Sequence, residues 1–197
     1  MSEIRAAGDF NISVAEIITS SGASINIKVA NIIGLNFYES IHKNSIAGEI
    51  LIQDAAGFVS EGPIIGQEYL RLKIQTSSLK DEKDIINFTE NVFVINSVET
   101  RAETANNVSV YLLSFTSSEL AKNQRTRVSG SLTGTHSDIV KQMLDRVNCQ
   151  KNIFLEPTKG VKRMVVPNLP PFSVITMALQ SASSSINDNF SPSYLFF

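Results

Sequence analysis

The sequence predicts a mainly β protein with an α+β tail: an antiparallel barrel or sandwich, followed by a small α/β domain. Three observations predict it. Apolar and polar residues alternate through the first two-thirds of the chain, the period-two signature of strands with one buried face. Turn-forming residues punctuate these runs at short intervals. Beyond Phe115 the apolar spacing becomes that of amphipathic helices.

Taken in order, "FNISVAEIIT" places Phe10, Ile12, Val14 and Ile18 on one face of a strand. "SSGAS" is a turn. "INIKVANIIGLNF" reads as one long strand, with Ile25, Ile27, Val29, Ile33, Leu35 and Phe37 together. "SIHKNS" is the tip of a long hairpin, and the returning strand aligns Ile46, Gly48, Ile50 and Ile52. "EGPIIG", with Gly62, Pro63 and Gly66, makes a tight loop before "YLRLKIQ", where Leu70, Leu72 and Ile74 alternate with Arg71, Lys73 and Gln75. "SSLKDEKD" is a solvated loop. "NVFVINSVETR" and "VSVYLLSF" bring the expectation to about six strands, enough for an antiparallel barrel or sandwich.

The helical part begins with "SSELAKNQR", a short helix capped by Ser117 or Ser118. "TRVSGSL" is extended. "SDIVKQMLDRV" sets Ile139, Val140, Met143, Leu144 and Val147 on one stripe, with Ser137 as cap and Asp138 in the first turn. "IFLEPTKGVKRMVVPNLPP" reads as a strand, a Lys-Gly turn and a second strand. A proline-led helix follows from Pro171, facing Val174, Ile175, Ala178, Leu179, Ala182 and Ile186 one way. "YLFF" opens a further strand. The change of period near Val128 divides the chain into a β domain over 1–128 and an α/β domain over 129–197. Apolar strands need partners, so the "LFF" ending is expected to lie inside a longer polypeptide.

Composition narrows the function classes. The 197 residues are 43% apolar and 18% charged, with a net charge of -2, which suits a globular chain and not a nucleic-acid binder. Cys149 is the single cysteine, so no disulfide framework or cysteine metal cluster is expected. The N-terminus lacks the apolar core of a signal peptide. No run approaches the ~18–20 apolar residues of a membrane helix, and membrane insertion is not expected.

Candidate chemistry is sparse. His42 sits at the hairpin tip. His136, Ser137 and Asp138 carry the residue types of a catalytic triad, but consecutive residues at a helix start do not face one another, and capping explains them better. The acidic pairs Glu39 with Glu49 and Asp81 with Asp84 read as solvated faces. Lys159, Gly160, Lys162 and Arg163 lack the glycines and the Lys-Ser/Thr ending of a phosphate loop, and read as a basic turn. Lys122, Arg125 and Arg127 form a second basic group, suited to acidic partner residues or a polar channel. No catalytic, cofactor or metal site is expected, and the chain does not read as an enzyme.

The region from "AEIITSSG" to "YLRLKIQT" resembles the N-terminal part of tail hub proteins from contractile-tailed bacteriophages. The shared elements are an Ile-x-x-Ser-Ser-Gly turn, a strand ending in Tyr-Glu-Ser-Ile, a hairpin, Gly-x-Ile-x-Ile-x-Asp, and Pro-Ile-Ile-Gly-Gln-Glu leading into a strand. "SSELAKNQRTRVS", "SDIVKQMLDRV" and "VVPNLPPFSVITMALQSASS" are similar to later pieces of that family, in the same order. The resemblance implies a tail-tube-like β-barrel with a long hairpin and short helix, then an inserted α/β domain and a second barrel that this sequence lacks. It further implies a structural virion protein in the baseplate: a homotrimer joining the sixfold tail tube to the threefold central spike. Its partners would be the tube protein, the spike protein and other baseplate proteins, with genomic DNA passing unbound through the lumen. The alternatives are the hub of a type VI secretion-like spike, and a β-rich binding module, for carbohydrate for example. A binding module should show clustered exposed aromatics, yet there is no Trp and the four Tyr are scattered. A cell-wall hydrolase would need a carboxylate or metal site.

Overall fold

The computed structural model describes residues 10–54, 64–76, 85–104, 108–186 and 194–197. The chain divides into two compact units. One comprises the residues up to Tyr38 with Ala47–Ser118, the other Glu39–Ile46 with Glu119–Phe197.

The first unit is a single antiparallel sheet of seven strands. These are β1 (Phe10–Ile18), β2 (Ser24–Asn26), β3 (Ile32–Tyr38), β4 (Ala47–Asp54), β5 (Tyr69–Thr76), β6 (Ile86–Thr104) and β7 (Val108–Ser117). Hydrogen bonding orders them β2-β1-β5-β6-β7-β4-β3. The mainly antiparallel β class is the expected one. Among the described residues no ladder joins β2 to β3, so the sheet is open and not a closed barrel.

Where a strand carries no extra residue of its own, the alternation read from sequence holds. Leu70, Leu72 and Ile74 are buried, as are Gly48, Ile50 and Ile52. Bulges overturn it elsewhere. Ser13 is an extra residue between the pairs Ile12↔Ile74 and Val14↔Lys73. The phase therefore flips, and the buried set of β1 is Ile12, Ala15 and Ile17, not Phe10, Val14 and Ile18. The expected long second strand is also broken. After β2 comes a 3-10 turn at Val29–Asn31, and an extra residue at Ile33 leaves that side chain 54% exposed while Phe37 still points inward. That break supplies the seventh strand.

The core of this sheet is aromatic. Phe37, Phe88, Phe93 and Phe115 form a cluster whose nearest ring centroids are 4.6 Å apart. Gly48 lies against it because nothing larger fits. A Cβ there would stand 2.4 Å from the Asn36 carbonyl oxygen and 2.4 Å from Cζ of Phe115. The loop entering β5 is organised by Glu68, which is 1% exposed. Its carboxylate accepts the backbone N–H groups of Ile65 (2.8 Å), Gly66 (2.9 Å) and Gln67 (3.0 Å), satisfying donors that no ladder serves. Gly66 allows this turn with φ +87°, and the Glu68 carbonyl accepts Ile95 N–H from β6. The Ile-Gly-Gln-Glu part of the resemblance is thus a structural loop. Gly62, Pro63 and "SSLKDEKD" lie outside the described residues.

Helix α1 (Ser118–Arg125) leads into the second unit. There β8 (Val128–Gly134) and β9 (Lys162–Leu169) form an antiparallel ribbon, with α2 (His136–Arg146) and α3 (Pro171–Leu179) completing the layer. Ile139, Val140, Met143, Leu144 and Val147 are buried together with Met164, Val166, Phe172, Val174 and Ile175, as the helical stripes predict. The cap of α2 is Thr135 and not Ser137: its hydroxyl accepts Asp138 N–H, and the Asp138 carboxylate accepts Thr135 N–H. Pro170 and Pro171 cannot cap α3 by side chain, and Asn123 of α1 does so instead, its Oδ1 accepting Phe172 N–H at 2.8 Å.

Two expected strands in this unit are absent. "IFLEP" is irregular, because β9 pairs with β8 alone and Phe154 points fully into solvent. Residues 194–197 form no strand either. Phe196 instead meets Phe172 edge-to-face at 5.1 Å. Ile186 lies beyond the end of α3 and is exposed, whereas Ala182 is buried as expected.

Candidate functional site

The residues with chemical potential are dispersed, each held by a local partner. His136 opens α2 with its ring 5% exposed and Nε2 3.3 Å from Ser181 Oγ. Ser137 exchanges hydrogen bonds with Thr158, and the Asp138 carboxylate is taken by Thr135. These hydrogen bonds hold the Asp138 carboxyl below the usual carboxylate range. The three residues therefore point to three different partners, and no triad geometry arises. Glu49 accepts the Tyr38 hydroxyl at 3.0 Å. Asp81 and Asp84 lie outside the described residues.

Four of the basic residues are likewise engaged. Lys122 Nζ donates to the Asn148 carbonyl, and Arg127 to the carbonyls of Gln124 and Thr126. Lys162 donates to Ser181 Oγ, and Arg163 Nε to Ser131 Oγ. Among the described residues no group of three or more His, Cys, Asp or Glu gathers as metal ligands would.

What the structure offers a partner is surface. The two sheet edges differ. Strand β2 is short, and its first residue, Ser24, donates to the Glu16 carboxylate, which also pairs with Arg71 at 3.3 Å. The Ser24 bond, ahead of Arg71, lowers the Glu16 carboxyl below its ordinary range. A short edge with a charged rim resists adventitious pairing. Strand β3 is longer and carries Ile33 and Tyr38, 54% and 47% exposed, with its outer backbone edge open among the described residues. The sequence pattern identified these strands but not their places, because strand order depends on pairings distant in the chain.

The second unit holds an open cleft of about 530 Å³. His42 and Lys43 line one side, with Leu120, Gln180, Tyr194 and Phe196 among the other contributors. The Tyr194 hydroxyl is buried without a hydrogen-bond partner among the described residues. His42 is exposed, as expected of a hairpin tip, and its N–H donates to Ser40 Oγ at 3.2 Å. No local sequence signal marks this cleft, since its walls come from four separate segments.

No protein-family model matches the chain, and no curated protein matches its sequence. Among solved structures it is similar to the 43 kDa tail protein of prophage MuSo2 from Shewanella oneidensis, with a TM-score of 0.52 at 8% identity. The match covers 85% of this chain and 49% of that one, so the chain spans about half the length of this neighbour. At such identity the likeness is one of fold: this chain shares its architecture with part of a prophage tail protein.

Proposed function

We propose that this chain is a structural component of a bacteriophage tail and, more finely, a baseplate central hub subunit joining the sixfold tail tube to the threefold spike. The observation that carries the reading is the fold shared with a prophage tail protein across 85% of the chain. The motif order that resembles tail hub proteins supports the finer step. The β3 edge, to which no second strand pairs among the described residues, supports it too, because an edge strand can extend a sheet into a neighbouring subunit without any reactive side chain. In this reading the chain acts by pairing, not by catalysis, and needs no cofactor. It works as a homotrimer in the virion baseplate, in contact with tube, spike and other baseplate proteins, with DNA passing through its lumen.

Cross-linking mass spectrometry on purified phage particles tests the proposal. Cross-links from Lys28 or Lys43, which flank β3, to other tail proteins or to a second copy are expected. Absence of the polypeptide from tails overturns the phage reading. Presence in tails with cross-links to neither tube nor spike proteins overturns the hub assignment alone.

A further inference from the structure

Four pieces of the second unit meet at the start of α2. Ser137 N–H donates to Thr158 Oγ1 at 2.9 Å, Lys159 N–H to the Ser183 carbonyl at 2.9 Å, and Ser185 N–H to the Pro157 carbonyl at 3.1 Å. His136 is buried in this junction, and Ser181 Oγ, just past α3, is shared between His136 Nε2 and the Lys162 ammonium that begins β9. An ammonium can only donate, so Ser181 Oγ accepts from Lys162. The same oxygen has a second lone pair and a hydroxyl proton, so it meets His136 Nε2 whichever ring nitrogen carries the proton, and the other nitrogen is Nδ1. That Nδ1 is buried and has no hydrogen-bond partner among the described residues.

We propose that His136 is an acid-released latch: a second proton charges a ring buried beside the Lys162 ammonium on a shared Ser181 oxygen, which loosens the junction and frees residues 157–162 and the exit of α3.

Burial and the nearest charge, the Lys162 ammonium on the shared Ser181 oxygen, work against an imidazolium here. Protonated Nε2 would compete with Lys162 for one oxygen and turn the Ser181 hydroxyl toward its other acceptor, the Ala178 carbonyl at 3.5 Å. The first turn of α2 presents the positive end of the helix dipole. Helix α3 carries no ionisable side chain that could compensate. On α2, the Asp138 carboxylate is committed to Thr135, and Lys141 follows it. In the adjoining segment the Glu156 carboxylate accepts from Ser184, and Lys159, whose backbone N–H donates to Ser183, belongs to the same stretch. Burial first, and Lys162 second, hold the ring below the usual histidine range.

The sign follows from that direction. An unfolded histidine titrates near 6.5, so the released state takes up protons first as pH falls. The latch is closed above about pH 6.5 and weakens below it until the folded ring itself protonates. One proton sets a ceiling of about tenfold in the opening equilibrium per pH unit.

Hydrogen exchange on the full chain, corrected for intrinsic rates and taken from about pH 8 to about pH 5, reads this directly. In the wild type, protection over 136–140, 157–162 and 181–185 should fall below about pH 6.5 with a slope approaching one proton. His136→Gln should abolish the slope, and His42→Gln should leave it unchanged. Lys162→Met should make the response smaller. An unchanged slope in His136→Gln overturns the proposal. Should that variant fail to fold, NMR titration of the wild-type ring decides: a midpoint at or above about 6.5 in the folded protein is fatal to the latch.

Discussion

Replacing Gly48 with alanine tests the packing of the β3–β4 hairpin against the aromatic core. The new Cβ would lie 2.4 Å from the Asn36 carbonyl oxygen on β3 and 2.4 Å from Phe115 Cζ, where real Cβ contacts essentially never fall under 3.0 Å. Each neighbour must retreat by at least 0.6 Å, the difference between those two distances. Neither can do so freely. Asn36 is held in the ladder opposite Glu49, and Phe115 is 1% exposed and packed on Phe37 and Phe93. Overpacking of this kind costs about 1–3 kcal/mol, and two rigid obstacles place Gly48→Ala near the upper end. Restricting the unfolded chain returns only about 0.4–1 kcal/mol, so the clash wins. A net loss of about 2–3 kcal/mol corresponds to a fall in Tm of roughly 8–24 °C for a unit of this size.

Thermal unfolding followed by far-ultraviolet circular dichroism measures the fall, with exchange of β3 and β4 amides confirming which unit is affected. The double variant Gly48→Ala/Phe115→Leu removes the ring atoms but keeps the Asn36 clash. It should therefore lose less than the sum of the two single changes, by about 1 kcal/mol. A Gly48→Ala protein melting within about 2 °C of wild type, well below the shift expected for such a clash, would refute this packing.

Three further perturbations probe other supports. Glu68→Ala strips the carboxylate from three backbone donors; because Ile65 and Gln67 lie at the surface and can turn to water, about 3 kcal/mol is expected rather than the full sum, read from the urea midpoint. Asn123→Ala leaves Phe172 N–H buried and unpaired at the head of α3, with an expected loss of about 1–2 kcal/mol; Asn123→Asp should recover most of it. Ile50→Pro, on a strand paired on both sides by β3 and β7, should abolish folding of the sheet and with it any assembly, as sedimentation and circular dichroism would show.

The sequence reading succeeded where structure is locally determined. Leu70, Leu72 and Ile74 alternate on a strand that keeps its own phase, the extra residues of its ladder lying on β6, and the stripe from Ile139 to Val147 repeats at helical spacing, so their burial follows from period alone. It failed where one residue changes the phase. Nothing in "NISV" announces a bulge at Ser13, because the bulge is defined by what lies across the ladder on β5. Thr135 and Ser137 are equally good caps by type, and the reciprocal bond from Asp138 three residues after Thr135 decides between them. The "IFLEP" segment has strand composition but joins no ladder among the described residues, where β9 pairs with β8 alone. The surface features were the least legible: both the place of β3 at the sheet edge among the described residues and the cleft arise from segments distant in sequence.

Because Glu39–Ile46 belongs to the second unit while the residues on either side belong to the first, neither unit is a continuous stretch of chain. During synthesis the segment carrying His42 and Lys43 leaves the ribosome long before Leu120, Gln180 and Tyr194, the residues with which it lines the cleft. The cleft must therefore wait for the end of the second unit, however early the strands around it pair. The same arrangement governs dissection of the gene: a fragment beginning at Glu119 carries α2, α3, all but the first residue of α1, and the ribbon but lacks one wall, whereas supplying residues 39–46 as a separate peptide would provide the missing piece in trans.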